Sequence, residues 1–241
     1  MDSCNSQTEL TNINELSKTE NNVDGKTLYE TNSLKGWRHS ATWVYAIMLV
    51  TSAIALLTSL ILSSETLALA RTPHKALGCD INTLVSCSKV AQTWQAEFIR
   101  FGELSFPNAF FGIAAESVFV TLAVIGIAKV KLPKWLAIFS WVGGLCALLY
   151  AYWLFSQSMF VIQVLCPWCL VLMFCTTLQF MSLSHATVST QGIGLKNKIL
   201  NAYYRINYDL IVDSLWIFVI VLLILSKYGH AIFSWIKISY N

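Results

Sequence analysis

Paired cysteines can store and pass two electrons, and four of the seven cysteines in this chain fall into two close pairs. Cys166-Pro167-Trp168-Cys169 places two thiols at the head of an apolar run that reads as a helix. Unpaired N–H groups and the dipole at a helix N-terminus stabilise a thiolate on the first cysteine. With only two residues between them, the sulfurs can bond and separate again without unwinding that helix. Cys79 and Cys87, with seven residues between them, lie in a segment holding Gly78, Asp80, Asn82 and Ser86. That segment is flexible and polar enough to bring the two within disulfide distance, which gives a mobile disulfide. Ser86 is placed to cap a short helix starting at Cys87 and running through Val90, Trp94 and Phe98, apolar at spacing four. The bland alternatives are two packing cysteines on one helical turn and a static disulfide of an exported loop. Cys4, Cys146 and Cys175 read as small apolar side chains without chemistry.

Exchange between two such pairs needs them on one face, so the elements that carry them matter. The chain has 241 residues, 56% hydrophobic and only 12% charged, against about 25% charged for soluble domains. A single water-soluble domain is excluded. Residues 1–42 are polar, lack an apolar face and read as a disordered cytoplasmic tail. A charge-free run from Trp43 to Leu62 makes the first span, and the Leu67-Ala68-Leu69-Ala70 stretch beyond it reads as part of an uncleaved anchor. Residues 63–106 form the one sizeable outer loop, carrying Glu65, Asp80 and Lys89 among its charges. Pro107 opens a second span that Lys129, Lys131 and Lys134 close.

Between Lys134 and His185 lie fifty residues without Asp, Glu, Lys, Arg or His. A straight helix of that length would run about 75 Å, so it must fold back. Ser156-Gln157-Ser158 and Pro167 signal the break, giving spans Trp135 to Phe155 and Cys166 to Leu183. The expected membrane domain is therefore 43–183, followed by a cytoplasmic linker over 184–209. Residues 210–241 supply a fifth span near Leu210 to Ser226 and a short outer tail.

Placing the N-terminus in the cytoplasm gathers ten of the sixteen Lys and Arg on that side, in line with the positive-inside rule. All four paired cysteines then face the extracytoplasmic side. The basic residues are dispersed rather than gathered on one face, so nucleic acid is not a partner. No G-x-G-x-x-G follows a strand, which removes a bound dinucleotide and leaves a lipid quinone as the simplest two-electron acceptor.

The order of motifs is informative. Cys79 and Cys87, then Ser88-Lys89-Val90, Phe101-Gly102, Pro107-Asn108-Ala109-Phe110-Phe111-Gly112, and last Cys166-Pro167-Trp168-Cys169, together resemble the vitamin K epoxide reductase family in its bacterial form. The resemblance covers roughly Trp43 to Leu183. The DsbB-type disulfide generators carry their C-x-x-C first, the reverse of the order here.

The resemblance implies an all-α integral membrane fold, a four-helix bundle around a quinone with a short helix of the first outer loop lying over the pocket. It implies that Cys79 meets the partner protein, Cys87 attacks Cys166, and Cys169 faces a quinone of the menaquinone or ubiquinone class. Asn108 takes the position of the residue that hydrogen-bonds a quinone carbonyl, with a capping or turn role as its alternative. Met173 stands where vertebrate members carry tyrosine, which favours a simple quinone over an epoxide. Some relatives fuse a thioredoxin-like domain after the fifth span, and the expectation here is a separate thioredoxin-like, DsbA-type partner outside the membrane.

The expected whole is a bacterial inner-membrane, multi-pass thiol–quinone oxidoreductase that drives oxidative protein folding. A protein using the four cysteines as a thiolate metal cage is the rival, and a catalytically inert scaffold is the third reading. The cage is disfavoured because structural zinc sites usually carry two C-x₂₋₄-C knuckles. Glu116, near the middle of the second span, reads as a protonated glutamate bonded to a neighbouring helix, with a proton route as the alternative.

Overall fold

The computed structural model describes residues 40–72, 77–81, 83–97, 99–101, 104–130, 132–189 and 208–239. The expected tail over 1–39, Cys4, Phe98, Gly102 and most of the linker lie outside the described residues. Among the described residues, five helices are long and apolar enough to cross a membrane. They are α1 (Ala41–Arg71), α3 (Asn108–Ile127), α4 (Lys134–Ser156), α5 (Pro167–Ser189) and α6 (Tyr208–Ser239). The short α2 (Cys87–Ala91) and a 3-10 turn (Trp94–Ala96) follow α1, and β1 (Ile99–Phe101) and β2 (Leu104–Phe106) make a small antiparallel ribbon before α3.

Apolar side chains surround the spanning helices, so their placement rests on backbone approach and on buried polar groups. α1 packs along α3 and α5, and α4 packs against α5. Gly126 lets α3 close on α1, because a Cβ there would lie 2.3 Å from the Tyr45 ring. Ser182 of α5 donates to the Val44 carbonyl of α1 (2.6 Å), and the Trp141 indole of α4 donates to the Ser184 hydroxyl (3.0 Å). Tyr45, Met48, Phe119, Leu122 and Leu183 fill the core between these contacts. Ser and Thr hydroxyls along α1 bond back to the preceding turn, as at Ser52 to Met48 and Ser63 to Ser59. Such bonds make hydroxyls tolerable in an apolar setting.

Several boundaries differ from expectation, and α5 runs to Ser189 rather than ending at Leu183. α1 continues to Arg71 rather than ending at Leu62, so Glu65 belongs to a helix and not to the outer loop. Thr66 bonds back to the Leu62 carbonyl (2.8 Å) and keeps the polar stretch helical. The break between the third and fourth spans is also later. Ser156-Gln157-Ser158 does not interrupt α4: Ser156 bonds back to Trp153, and the chain continues as a π-helical turn from Gln157 to Ile162. Gln163, in the left-handed region (φ 58°, ψ 28°), makes the actual reversal.

The short helix after Ser86 is smaller than its apolar spacing suggested. It ends at Ala91, where Thr93 bonds back to the Val90 carbonyl (2.7 Å) and takes an extended conformation. The fifth span is longer than Leu210 to Ser226. Its Ile220, Ile224 and Tyr228, at spacing four, pack on Met159, Leu165 and Met173, while Trp216 donates to the Tyr152 hydroxyl (2.8 Å).

Candidate redox site

Cys79, Cys87 and Cys166 are buried together with Leu69 and Leu77 at one end of the bundle, with Cys169 packed against them. Cys79 and Cys87 form a disulfide, Cα to Cα 5.8 Å. Cys166 and Cys169 are unbonded, their sulfurs 2.6 Å apart, and Cys166 Sγ stands 3.5 Å from Cys87 Sγ. Cys166 occupies the cap position ahead of Pro167, and the Cys169 amide donates to its sulfur at 3.3 Å. This is the helix-start geometry expected for the motif, with proline where a missing N–H costs nothing.

What brings the pairs together is a backbone bridge. Leu165 donates to the Leu84 carbonyl (2.9 Å) and Ser86 donates to the Leu165 carbonyl (3.0 Å), so Val85 and Leu165 pair in parallel. Cys87 and Cys166 each follow this bridge within two residues. The expected mobile loop is thereby tied down, and Asp80 ties it further. Its carboxylate accepts from the Leu77 and Ser88 amides (2.9 and 3.1 Å) and from the Ser86 and Ser88 hydroxyls (2.7 and 2.6 Å). Burial opposes the charge, but the bonds from Ser88, Ser86 and the backbone outweigh it and hold the carboxyl well below the usual carboxylate range. Ser86 caps α2 as expected, accepting from the Lys89 amide at 3.3 Å.

A cavity of about 430 Å³ opens beside this cluster and is almost wholly apolar in its lining. α2 lies over it through Cys87, Val90 and Ala91, while Cys166 and Cys169 reach it from α5. Asn108, Glu116 and Thr66 are among the few polar groups on its wall. The volume and the sparse, separated polar groups suit a flat, mainly apolar molecule. Asn108 donates from its side chain to the Gln95 carbonyl and hydrogen-bonds Tyr150, so it anchors the segment after α2 and lines the cavity together. Glu116 faces Gln179 of the neighbouring α5, and one side-chain oxygen of each is buried without a hydrogen-bond partner. Met173 is buried in the wall.

Glu65, Cys79 and Cys87 present an oxygen and two sulfurs within 4.8 Å of one another. With the sulfurs bonded to each other, this set offers a metal one carboxylate and no thiolate. Cys146 and Cys175 lie on α4 and α5 outside the cluster. Glu65, which the sequence places among the loop charges, joins this cluster; the polar neighbours Ser63, Ser64 and Thr66 hide in the sequence the helix that carries it there.

A model described as the vitamin K epoxide reductase family matches residues 46–183, more than half of the chain and including all four clustered cysteines. No curated protein matches the chain.

Proposed function

The chain belongs to the vitamin K epoxide reductase family, a multi-pass membrane thiol oxidoreductase by that membership, and from this premise we propose that it passes electrons from a thioredoxin-like, DsbA-type partner to a lipid quinone. The observation that carries this reading is the 3.5 Å separation of Cys87 Sγ and Cys166 Sγ, residues 79 apart in sequence, beside a cavity that Cys169 also lines. Thiol–disulfide exchange needs this proximity and a route for the electrons onward.

In this reading the partner's thiolate attacks Cys79, Cys87 is released, and Cys87 attacks Cys166 in the oxidised motif, freeing Cys169. Asp80 and the Val85–Leu165 bridge keep Cys87 aimed at Cys166 throughout. A quinone, when bound, supplies a two-electron, two-proton acceptor. Its ring would be held by the apolar wall, with Asn108 as the polar contact and Cys169 as the neighbouring sulfur. The site end of the bundle faces the extracytoplasmic side, with the N-terminus in the cytoplasm of a bacterial cell, and the protein serves disulfide formation in exported proteins.

The test is quinone-dependent oxidation of dithiothreitol by the purified full-length chain in detergent, with a short-chain ubiquinone as acceptor. Cys166→Ser and Cys169→Ser are each expected to lose this activity at least a hundredfold. Activity at the unmodified level in either variant overturns the mechanism.

A further inference from the structure

We propose that Glu65 is a catalytic acid–base residue of the exchange, taking the proton from Cys79 as that sulfur becomes a nucleophile and returning it when the sulfur is released. The inference rests on the exchange reading above. Glu65 Oε2 lies 3.4 Å from Cys79 Sγ, within hydrogen-bonding reach of a thiol there. From the opposite pair, the Trp168 side chain faces the same carboxylate. One half-buried carboxylate thus lies between the loop disulfide, which it touches, and the Cys-Pro-Trp-Cys segment. Its aim is fixed by α1, whose Leu62 and Leu69, one turn to either side, pack into the cysteine cluster. The groups that face it are Asp80 from the loop, the Cys79 and Cys87 sulfurs, and Trp168 and Cys169 from α5.

A carboxylate at this distance opposes a second negative charge and accepts a hydrogen bond from a thiol. Reduced Cys79 is therefore held as a thiol with its base in contact, while Cys87 is free to act as thiolate. A partner thiolate attacks Cys79 Sγ, the Cys79–Cys87 bond breaks and Cys87 leaves as thiolate. The partner's second thiolate attacks the partner sulfur of the mixed disulfide, and the departing Cys79 takes the proton held on Glu65. The partner is oxidised by two electrons, and its two thiol protons go to solvent.

Cys87 thiolate next attacks Cys166 Sγ, the Cys166–Cys169 bond breaks and Cys169 leaves as thiolate. Cys79 then gives its proton to Glu65 and attacks Cys87 Sγ, re-forming the loop disulfide and releasing Cys166 as thiolate. The loop is oxidised by two electrons and the motif reduced by two. The thiolates of Cys166 and Cys169 carry that electron pair to the acceptor proposed above, and Glu65 keeps the proton for the next release.

The deciding experiment follows alkylation of Cys79 against pH in the full chain, reduced with dithiothreitol and freed of it, by mass spectrometry of the Cys79 peptide. Glu65→Gln is expected to move the curve to lower pH and speed alkylation at pH 7 about tenfold, the equivalent of one pKa unit. The same variant is expected to slow dithiothreitol oxidation at pH 7 about a hundredfold, with recovery as pH rises, since loss of a general base costs about 10²–10⁴-fold. A Cys79 curve that superimposes on that of the unmodified protein overturns the inference. Where Glu65→Gln fails to fold, judged by loss of the Cys79–Cys87 bond under oxidising conditions, Glu65→Asp takes its place. Drawing the carboxylate back by one methylene should move the curve in the same direction by less, and superposition again overturns the assignment. Alkylation requires no quinone, so failure of the unmodified chain to reduce one counts against the proposed function alone.

Discussion

Asp80 concentrates in one side chain the bonds that hold the loop disulfide in place. Its carboxylate accepts four hydrogen bonds from Leu77, Ser86 and Ser88, groups on both sides of the loop. Asp80→Ala leaves these donors to solvent and is expected to cost about 1–2 kcal/mol, since bonds to a charged acceptor are worth more than neutral ones but this group is only half-buried. Thermal unfolding in detergent measures the loss. The pH dependence has a defined sign. A carboxyl held below its unfolded value of about 3.9 contributes stability that is fully present above that value and is lost as pH falls toward the folded one. The gap in melting temperature between the unmodified chain and Asp80→Ala should thus be constant from about pH 5 to pH 8 and close only in acid.

At the scale of elements, the parallel bridge between Val85 and Leu165 decides which sulfurs meet. α2 and α5 each begin two residues after their bridge residue, so the bridge sets the starting points of both helices relative to each other. Leu165→Pro removes the N–H that donates to Leu84, the 2.9 Å half of the bridge. The reporter is Cys169→Ser, in which Cys166 attacks Cys87 and stops at the mixed disulfide, exposing Cys79 as a free thiol. Leu165→Pro in that background is expected to slow the appearance of the Cys87–Cys166 bond about tenfold, because proximity supplies much of the rate of such exchanges. An unchanged rate would assign the alignment to other contacts.

At the scale of the whole molecule, the bundle combines two compartments, a hydrogen-bonded cap that carries the cysteine cluster and an apolar cavity between the helices. Gly143 and Ala147 of α4 keep the cavity open on one wall by their small size. Ala147→Trp is expected to fill that space, raising the KM for a short-chain ubiquinone about tenfold or more. Mixed-disulfide formation in the Cys169→Ser background should proceed at its usual rate. Parallel loss of both readouts would show that the cavity and the exchange site are not separable. Glu116 and Gln179 sit deeper in the bundle, facing each other from α3 and α5, and give the two helices a polar contact where lipid offers no competitor.

The sequence alone determined the number and rough position of the spanning helices, because apolar length is a local property that charge placement delimits. It also determined which cysteines belong together, since a Cys-Pro-Trp-Cys helix start and a capped Ser86–Cys87 are both local signals. The extension of α1 past Leu62 was not legible, because Ser63, Ser64, Glu65 and Thr66 look like loop until their hydroxyls are seen bonded back along the helix. Nor was the late reversal at Gln163, which depends on a single left-handed residue after a π turn. Tertiary structure alone decided what is non-local. It set the Val85–Leu165 bridge that brings sulfurs 79 residues apart to 3.5 Å, the closure of the cavity under α2, and the arrival of Glu65 beside Cys79. Each requires helices to pack before the partners exist, and no spacing within one segment encodes that.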